Sequence, residues 1–197
     1  MNVAINVAIN VAMNVALQMK DVTMGRLGTV ILMIFLAGCL GMPSTVTPVE
    51  NFEINRYLGK WYEVARLDHS FERGLEQVTA EYSLRNDGGV SVVNRGYSVE
   101  DDEWQEAKGK AYFVDDKATG YLKVSFFGPF YGSYVVFELD KAGYEYAFVA
   151  GPDLSYLWLL SRKPQLSDEI IKRFESLSRE LGFDTSKLIY VKHDLDG

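Results

Sequence analysis

From residue 59 to residue 162 the chain alternates apolar and polar residues in short runs, broken by turn-forming residues. A period of two puts successive side chains on opposite faces of a strand, and such runs cannot form amphipathic helices. The plainest run is 77–85, where Val78, Ala80, Tyr82 and Leu84 share one face and Thr79, Glu81, Ser83 and Arg85 the other. Asn86-Asp87-Gly88-Gly89 follows, a hairpin signal because Asn and Gly tolerate the positive φ of tight turns. Further runs at 59–67, 90–99, 104–113, 120–127, 133–139, 144–150 and 155–162 bring the series to eight, nearly all with short connections. Consecutive strands joined in this way form an antiparallel meander, and a meander that leaves no edge exposed closes into a barrel. The expected fold is therefore all-β, an eight-stranded antiparallel up-and-down β-barrel. Its interior has room for side chains or one small ligand.

After residue 166 the period changes. Ser167 is placed to cap a helix, Asp168 and Glu169 suit its first turn, and Ile170, Phe174, Leu177 and Leu181 recur at helical spacing before Gly182. One helix on the barrel wall is expected, then a short ninth strand at Leu188-Ile189-Tyr190-Val191.

A length of 197 residues suits one domain with a sizeable core. The net charge of −7 repels phosphate backbones and argues against a nucleic-acid partner. Catalytic material is sparse. The histidines are His69, which reads as a solvated loop residue, and His193 near the C-terminus. The carboxylates from Glu100 to Glu103 read as a solvated charge run. No metal-spaced His/Cys set and no phosphate-cradling Gly motif occurs, so neither metal, cofactor nor enzymatic activity is expected.

The N-terminus carries addressing information instead. Four copies of an Asn-Val-Ala-apolar unit fill residues 2–17 and read as low complexity, with Met1, Met19 and Met24 as candidate starts. Lys20 and Arg26 then precede the apolar run Val30–Phe35, which has the length of a signal-peptide core and is too short to span a bilayer. Leu36-Ala37-Gly38-Cys39 resembles the bacterial lipobox, in which the Cys becomes the lipidated first residue. Leu40 stands where an inner-membrane retention signal favours Asp, so the resemblance implies the outer membrane. The expected organisation is an extension plus signal peptide at 1–38, a lipidated Cys39 with a flexible tether to 51, and a barrel domain at 52–197.

Gly59-Lys60-Trp61 on the first strand and Leu159-Leu160-Ser161-Arg162 on the last resemble the signature of the lipocalin family. Similarity to its bacterial outer-membrane lipoprotein branch extends over about residues 52–193. One departure is Leu139-Asp140-Lys141, where the family usually has Thr-Asp-Tyr. The resemblance implies that Gly59, Trp61 and Arg162 are structural, with Arg162 stacked over the Trp61 indole at the closed end. If Trp61 and Arg162 point inward, period two sends Glu63, Ala65, Leu67, Tyr156, Trp158 and Leu160 inward too. Polar-face parity adds Ala80, Tyr82, Val92, Asn94, Ala107, Ala111, Leu122, Val124 and Phe126, and alignment with the family adds Tyr134 and Val136. Of these, Ala65, Ala80, Tyr82, Val92, Asn94, Ala107, Val124, Phe126, Tyr134, Val136, Tyr156 and Trp158 are the expected ligand contacts. Small wall residues facing aromatics suggest space rather than a filled core. The ligand class implied by the bacterial relatives is a fatty acid or lysophospholipid, bound by a protein anchored through Cys39 with its barrel in the periplasm. A homodimer is an open option. Two rival readings stand, an envelope interaction module with a filled barrel and a lipid-modifying enzyme acting through Tyr or Glu63.

Overall fold

The computed structural model describes residues 40–193, so the repeat, the signal segment and Cys39 lie outside the described residues. Eight strands follow one another: Gly59–Arg66 (β1), Leu75–Leu84 (β2), Val90–Ser98 (β3), Glu103–Phe113 (β4), Tyr121–Ser125 (β5), Gly132–Leu139 (β6), Tyr146–Ala150 (β7) and Leu157–Ser161 (β8). Each pairs antiparallel with the next, and β1 pairs with both β2 and β8, which closes the barrel. Strand ends differ from the alternation by a few residues where turns intrude. Tyr144, for instance, has a φ of 56° and belongs to the turn before β7.

The barrel has a plugged end and an open one. The turns 85–89, 114–120 and 140–145 lie at the plugged end with a one-turn helix, Ile54–Tyr57 (α1). Trp61 is fully buried there and donates from Nε1 to the Tyr57 carbonyl at 2.7 Å. The Arg162 guanidinium lies 4.0 Å from the Trp61 ring centroid. Its nitrogens donate to the carbonyls of Arg56 (2.7 Å), Lys60 (2.9 Å) and Tyr144 (3.2 Å). One side chain thus ties together α1, β1 and the β6–β7 turn. Gly59 makes the tight entry into β1 with a φ of +88°, where any side chain would be strained. Asp140 survives the departure from the family motif as a turn organiser, accepting from the backbone N–H groups of Ala142 and Glu145.

Two outer elements complete the fold. Asp168–Glu180 (α2) buries Phe174 against Phe148, with ring centroids 5.0 Å apart. Ser167 stands at its N-cap position, yet the hydroxyl makes no capping bond; the Ser167 carbonyl alone accepts, from Ile170 and Ile171. Ile189–Tyr190 (β9) pairs with Ala65 and Arg66 of β1. The paired register of β1 with β2 ends at Tyr62, and β9 occupies the edge above it, with Lys192 O accepting from Gln77 N.

Two expectations need correcting. Period two on β1 breaks at a bulge, because Glu63 pairs with Leu160 while Ala65 pairs with Leu159. The extra residue turns Val64, Ala65 and Leu67 into the outer cluster under α2 and brings Arg66 inside. The expected tether is not free either. Val46 and Phe52 are buried, Thr45 Oγ1 donates to Leu181 O at 2.6 Å, and Val49 N donates to Val136 O at 2.8 Å. Residues 42–52 form a strap down the outer wall, from the β7–β8 loop to the plugged end.

Removing the Trp61 indole empties the centre of the plug. Trp61→Ala is expected to lower stability by about 3–5 kcal/mol, the usual cost of truncating a buried aromatic, read from urea unfolding. An unchanged midpoint would contradict the plug.

Candidate ligand-binding site

The barrel encloses a cavity of about 560 Å3, within the range of small-molecule sites. Ala80, Tyr82, Val92, Asn94, Ala107, Val124, Phe126, Tyr134, Tyr156 and Trp158 line it, joined by Tyr57, Leu122 and Leu160. Two of the expected contacts do not reach it. Ala65 is fully buried on the outer face because of the β1 bulge, and Val136 packs in the inner cluster without meeting the cavity. Gly109 has a different role from a space-making wall residue. A Cβ there would lie 2.9 Å from the Phe126 ring, so the missing side chain lets Phe126 lie flat on β4.

Near the floor three phenols meet. Tyr134 Oη lies 2.7 Å from Tyr57 Oη and 2.9 Å from Tyr82 Oη. Burial pushes all three hydroxyls up, so they remain neutral donors. Three hydroxyl hydrogens serve two contacts, which leaves one without a partner inside the triad.

The wall near the open end carries charge. Arg66 donates from Nη1 to Glu63 Oε1 at 2.7 Å, and from Nη2 to the carbonyls of Glu72 (2.8 Å) and Leu75 (3.2 Å). Trp158 Nε1 donates to Glu72 Oε2 at 3.0 Å. Burial raises the Glu63 carboxyl well above the usual carboxylate range, and nearby Glu72 adds to this while Arg66 opposes it. Burial likewise raises Glu72, against its bond from Trp158. Glu63 and Glu72 face the cavity, so its upper wall can accept hydrogen bonds and complement a donor or cationic group.

Sequence reasoning missed Glu72 in this wall, and Arg66 and His69 packed against its residues. Arg66 is turned inward by a bulge that parity cannot show, and Glu72 arrives from a loop. His69 is not solvated. It lies between the rings of Phe71 and Tyr156, at 5.2 and 4.7 Å and nearly parallel to both, and is 6% exposed. Burial, then the Arg66 charge, lowers its pKa to about 4. Among the described residues, no group of three His, Cys, Asp or Glu side chains is placed to hold a metal ion.

A plugged eight-stranded barrel around one apolar cavity, entered from the opposite end, defines a class of small-ligand binding proteins. Residues 52–193 match the lipocalin-like domain model, and the chain belongs to the lipocalin family. It is 67% identical to the outer membrane lipoprotein Blc of Vibrio cholerae, over 83% of this chain and 95% of that one. Against the outer membrane lipoprotein Blc of Escherichia coli K12 the identity is 55%, over 76% and 84%. Insecticyanin of the tobacco hornworm shares the fold, with a TM-score of 0.63 at 23% identity over 79% of this chain and 88% of that one. The protein is accordingly a binding protein and not an enzyme.

His69 gives this wall a pH signature. The unfolded chain takes up the imidazole proton near its ordinary pKa of 6.5 and the folded one only near 4. Between those values the unfolded state binds more protons, so the imidazole's contribution is present above pH 6.5 and is lost as pH falls toward 4. The stability difference between wild type and His69→Phe should change across that window in urea titrations, with wild type losing ground as pH drops. A pH-independent difference would mean a solvated imidazole.

Proposed function

We propose that the protein holds and carries a fatty acid or lysophospholipid in envelope lipid maintenance, anchored to the outer membrane through Cys39 with its barrel in the periplasm. The cavity carries this reading. It is apolar over most of its wall, open at one end, and of a size for one acyl chain. A void of about 560 Å3 speaks against a barrel serving only as a filled scaffold. The names of the Vibrio and Escherichia relatives support the membrane address.

The acyl tail runs toward α1 and the tyrosine floor, and the head group stays toward the mouth, where Glu63 and Glu72 suit the donor or cationic head of a lysophospholipid better than a free carboxylate. Each methylene buried on the way down contributes about 0.8 kcal/mol. Affinity should therefore rise with chain length until the tail meets Tyr57 and Tyr134, then level off. Ala80→Trp places an indole in the middle of the cavity and should abolish binding of a fluorescent fatty acid while the cooperative melt persists. Wild-type affinity in a folded Ala80→Trp protein would sink the site assignment.

The anchor is tested separately. Cys39 is the chain's single thiol, and it ends the lipobox-like segment. Cys39→Ser should carry no lipid by intact mass and should leave the membrane pellet on fractionation. Unchanged sedimentation of an unlipidated protein would remove the anchor from the reading.

A further inference from the structure

Exposed apolar side chains are distributed unevenly over the barrel. Phe71, Val99, Trp104, Phe127, Phe130 and Leu154 are each at least 40% exposed, and Phe127 reaches 82%. All six lie in or beside the four loops of the open end. At the plugged end the corresponding set, among the described residues, is Leu84. Single exposed hydrophobics need no explanation, but several gathered around the mouth of an apolar cavity mark a surface with a partner.

The strap says which partner. Leu40 and Gly41 lie toward this same end: a Cβ added to Gly41 would lie 3.8 Å from the carbonyl of Pro152 in the β7–β8 loop, and Leu40 O accepts at 3.3 Å from Tyr121 Oη, which also meets Ser133 Oγ beside the β5–β6 loop. Cys39 immediately precedes Leu40 in the sequence. A free tether of a dozen residues would leave the barrel's orientation undetermined. A strap packed from Met42 onward fixes the attachment point beside the mouth. Phe and Trp at an interface are side chains that partition into the headgroup region of a bilayer.

We propose that the open end of the barrel docks on the surface of the lipid bilayer that holds the Cys39 anchor, so that a ligand passes between leaflet and cavity without crossing water. This rests on the anchor reading above. The rim's charge selects the lipid. Exposed Glu100, Asp101, Asp102 and Glu103 stand in or beside the β3–β4 loop, while Arg73 and Arg95 nearby are paired with Asp68 and Glu106. The docking surface therefore suits zwitterionic lipid and is repelled by anionic lipid.

The test uses the lipidated full protein, its anchor verified by intact mass, in phosphatidylcholine vesicles containing mid-chain brominated lipid. In a Trp104→Phe background, Phe127→Trp at the mouth should add a bromine-quenched signal and Lys141→Trp at the plugged end an unquenched one. Absence of quenching at both positions in a protein that floats with its vesicles would overturn the proposal. So would a rim shielded by a second copy, seen as a dimeric mass with Phe127→Trp protected from bromine. Val99→Ser combined with Trp104→Ser, neither of which lines the cavity, should slow uptake of a fluorescent fatty acid from vesicles by about tenfold, leaving its binding from solution unchanged. Uptake unaffected by this pair would count against docking. Failure of wild type to bind the fatty acid from solution would instead strike the carrier reading, with the quenching pattern still deciding the orientation.

Discussion

Closure depends on β1. A barrel has no free edge, so the backbone of this strand must find partners on both sides along its whole length. Most of them come from three strands, β2 beside residues 59–62, β8 from Tyr62 to Arg66 and β9 beside Ala65 and Arg66, and the Lys60 and Val64 carbonyls are met instead by Arg162 and by Val191 N. The same strand supplies Trp61 to the plug, Glu63 to the cavity wall and buried Arg66 as the partner of Glu63. Arg162 matters because it holds this strand's start, through the Lys60 carbonyl and the Trp61 ring face, to α1 and the β6–β7 turn. A desolvated guanidinium over an indole is worth about 2 kcal/mol, and three further bonds to carbonyls leave little freedom at that end.

Where alternation is uninterrupted, the fold was legible in the sequence. β3 and β4 pair residue for residue from Val90–Ala111 to Ser98–Glu103, and Val92, Asn94 and Ala107 line the cavity as parity requires. Where one residue is inserted, parity inverts. The β1 bulge sends Ala65 to the helix side and Arg66 into the barrel, and nothing in Val64-Ala65-Arg66-Leu67 shows which residue is extra. Loops were the second blind spot. His69 and Glu72 look like solvated loop residues because their burial depends on Tyr156 and Trp158, which arrive from elsewhere in the chain, as well as on neighbouring Phe71. The strap was hidden for a related reason: Pro43, Ser44, Thr45 and Pro48 read as a linker, while the apolar residues that seat it, Val46, Val49 and Phe52, are few and scattered among and after them.

The buried ions of the wall raise a question of balance. Glu63 and Arg66 are 5% and 2% exposed, and isolating such a pair from water costs more than the pair alone returns unless further bonds satisfy it. Here the further bonds come from the β1–β2 loop, whose Glu72 and Leu75 carbonyls accept from Arg66 and whose Glu72 carboxylate accepts from Trp158. The charge inside the barrel is thus what folds that loop inward over one side of the mouth, and His69 is carried into its aromatic stack by the same inward turn.

The two ends of the barrel are consequently built on different principles. At the plugged end, Trp61 and Arg162 satisfy every local demand among themselves and their carbonyl partners, which leaves a rigid apolar base under the tyrosine triad. At the open end, the loop held by Arg66 coexists with exposed Phe127 and Phe130, whose rings stand largely in solvent. The strap joins these ends, since residues 42–45 meet the β7–β8 loop and the chain then passes Val49 and Phe52 into α1. A single continuous segment therefore runs from the mouth to the floor, so that the chain enters the fold beside the open end and leaves the strap at the plug.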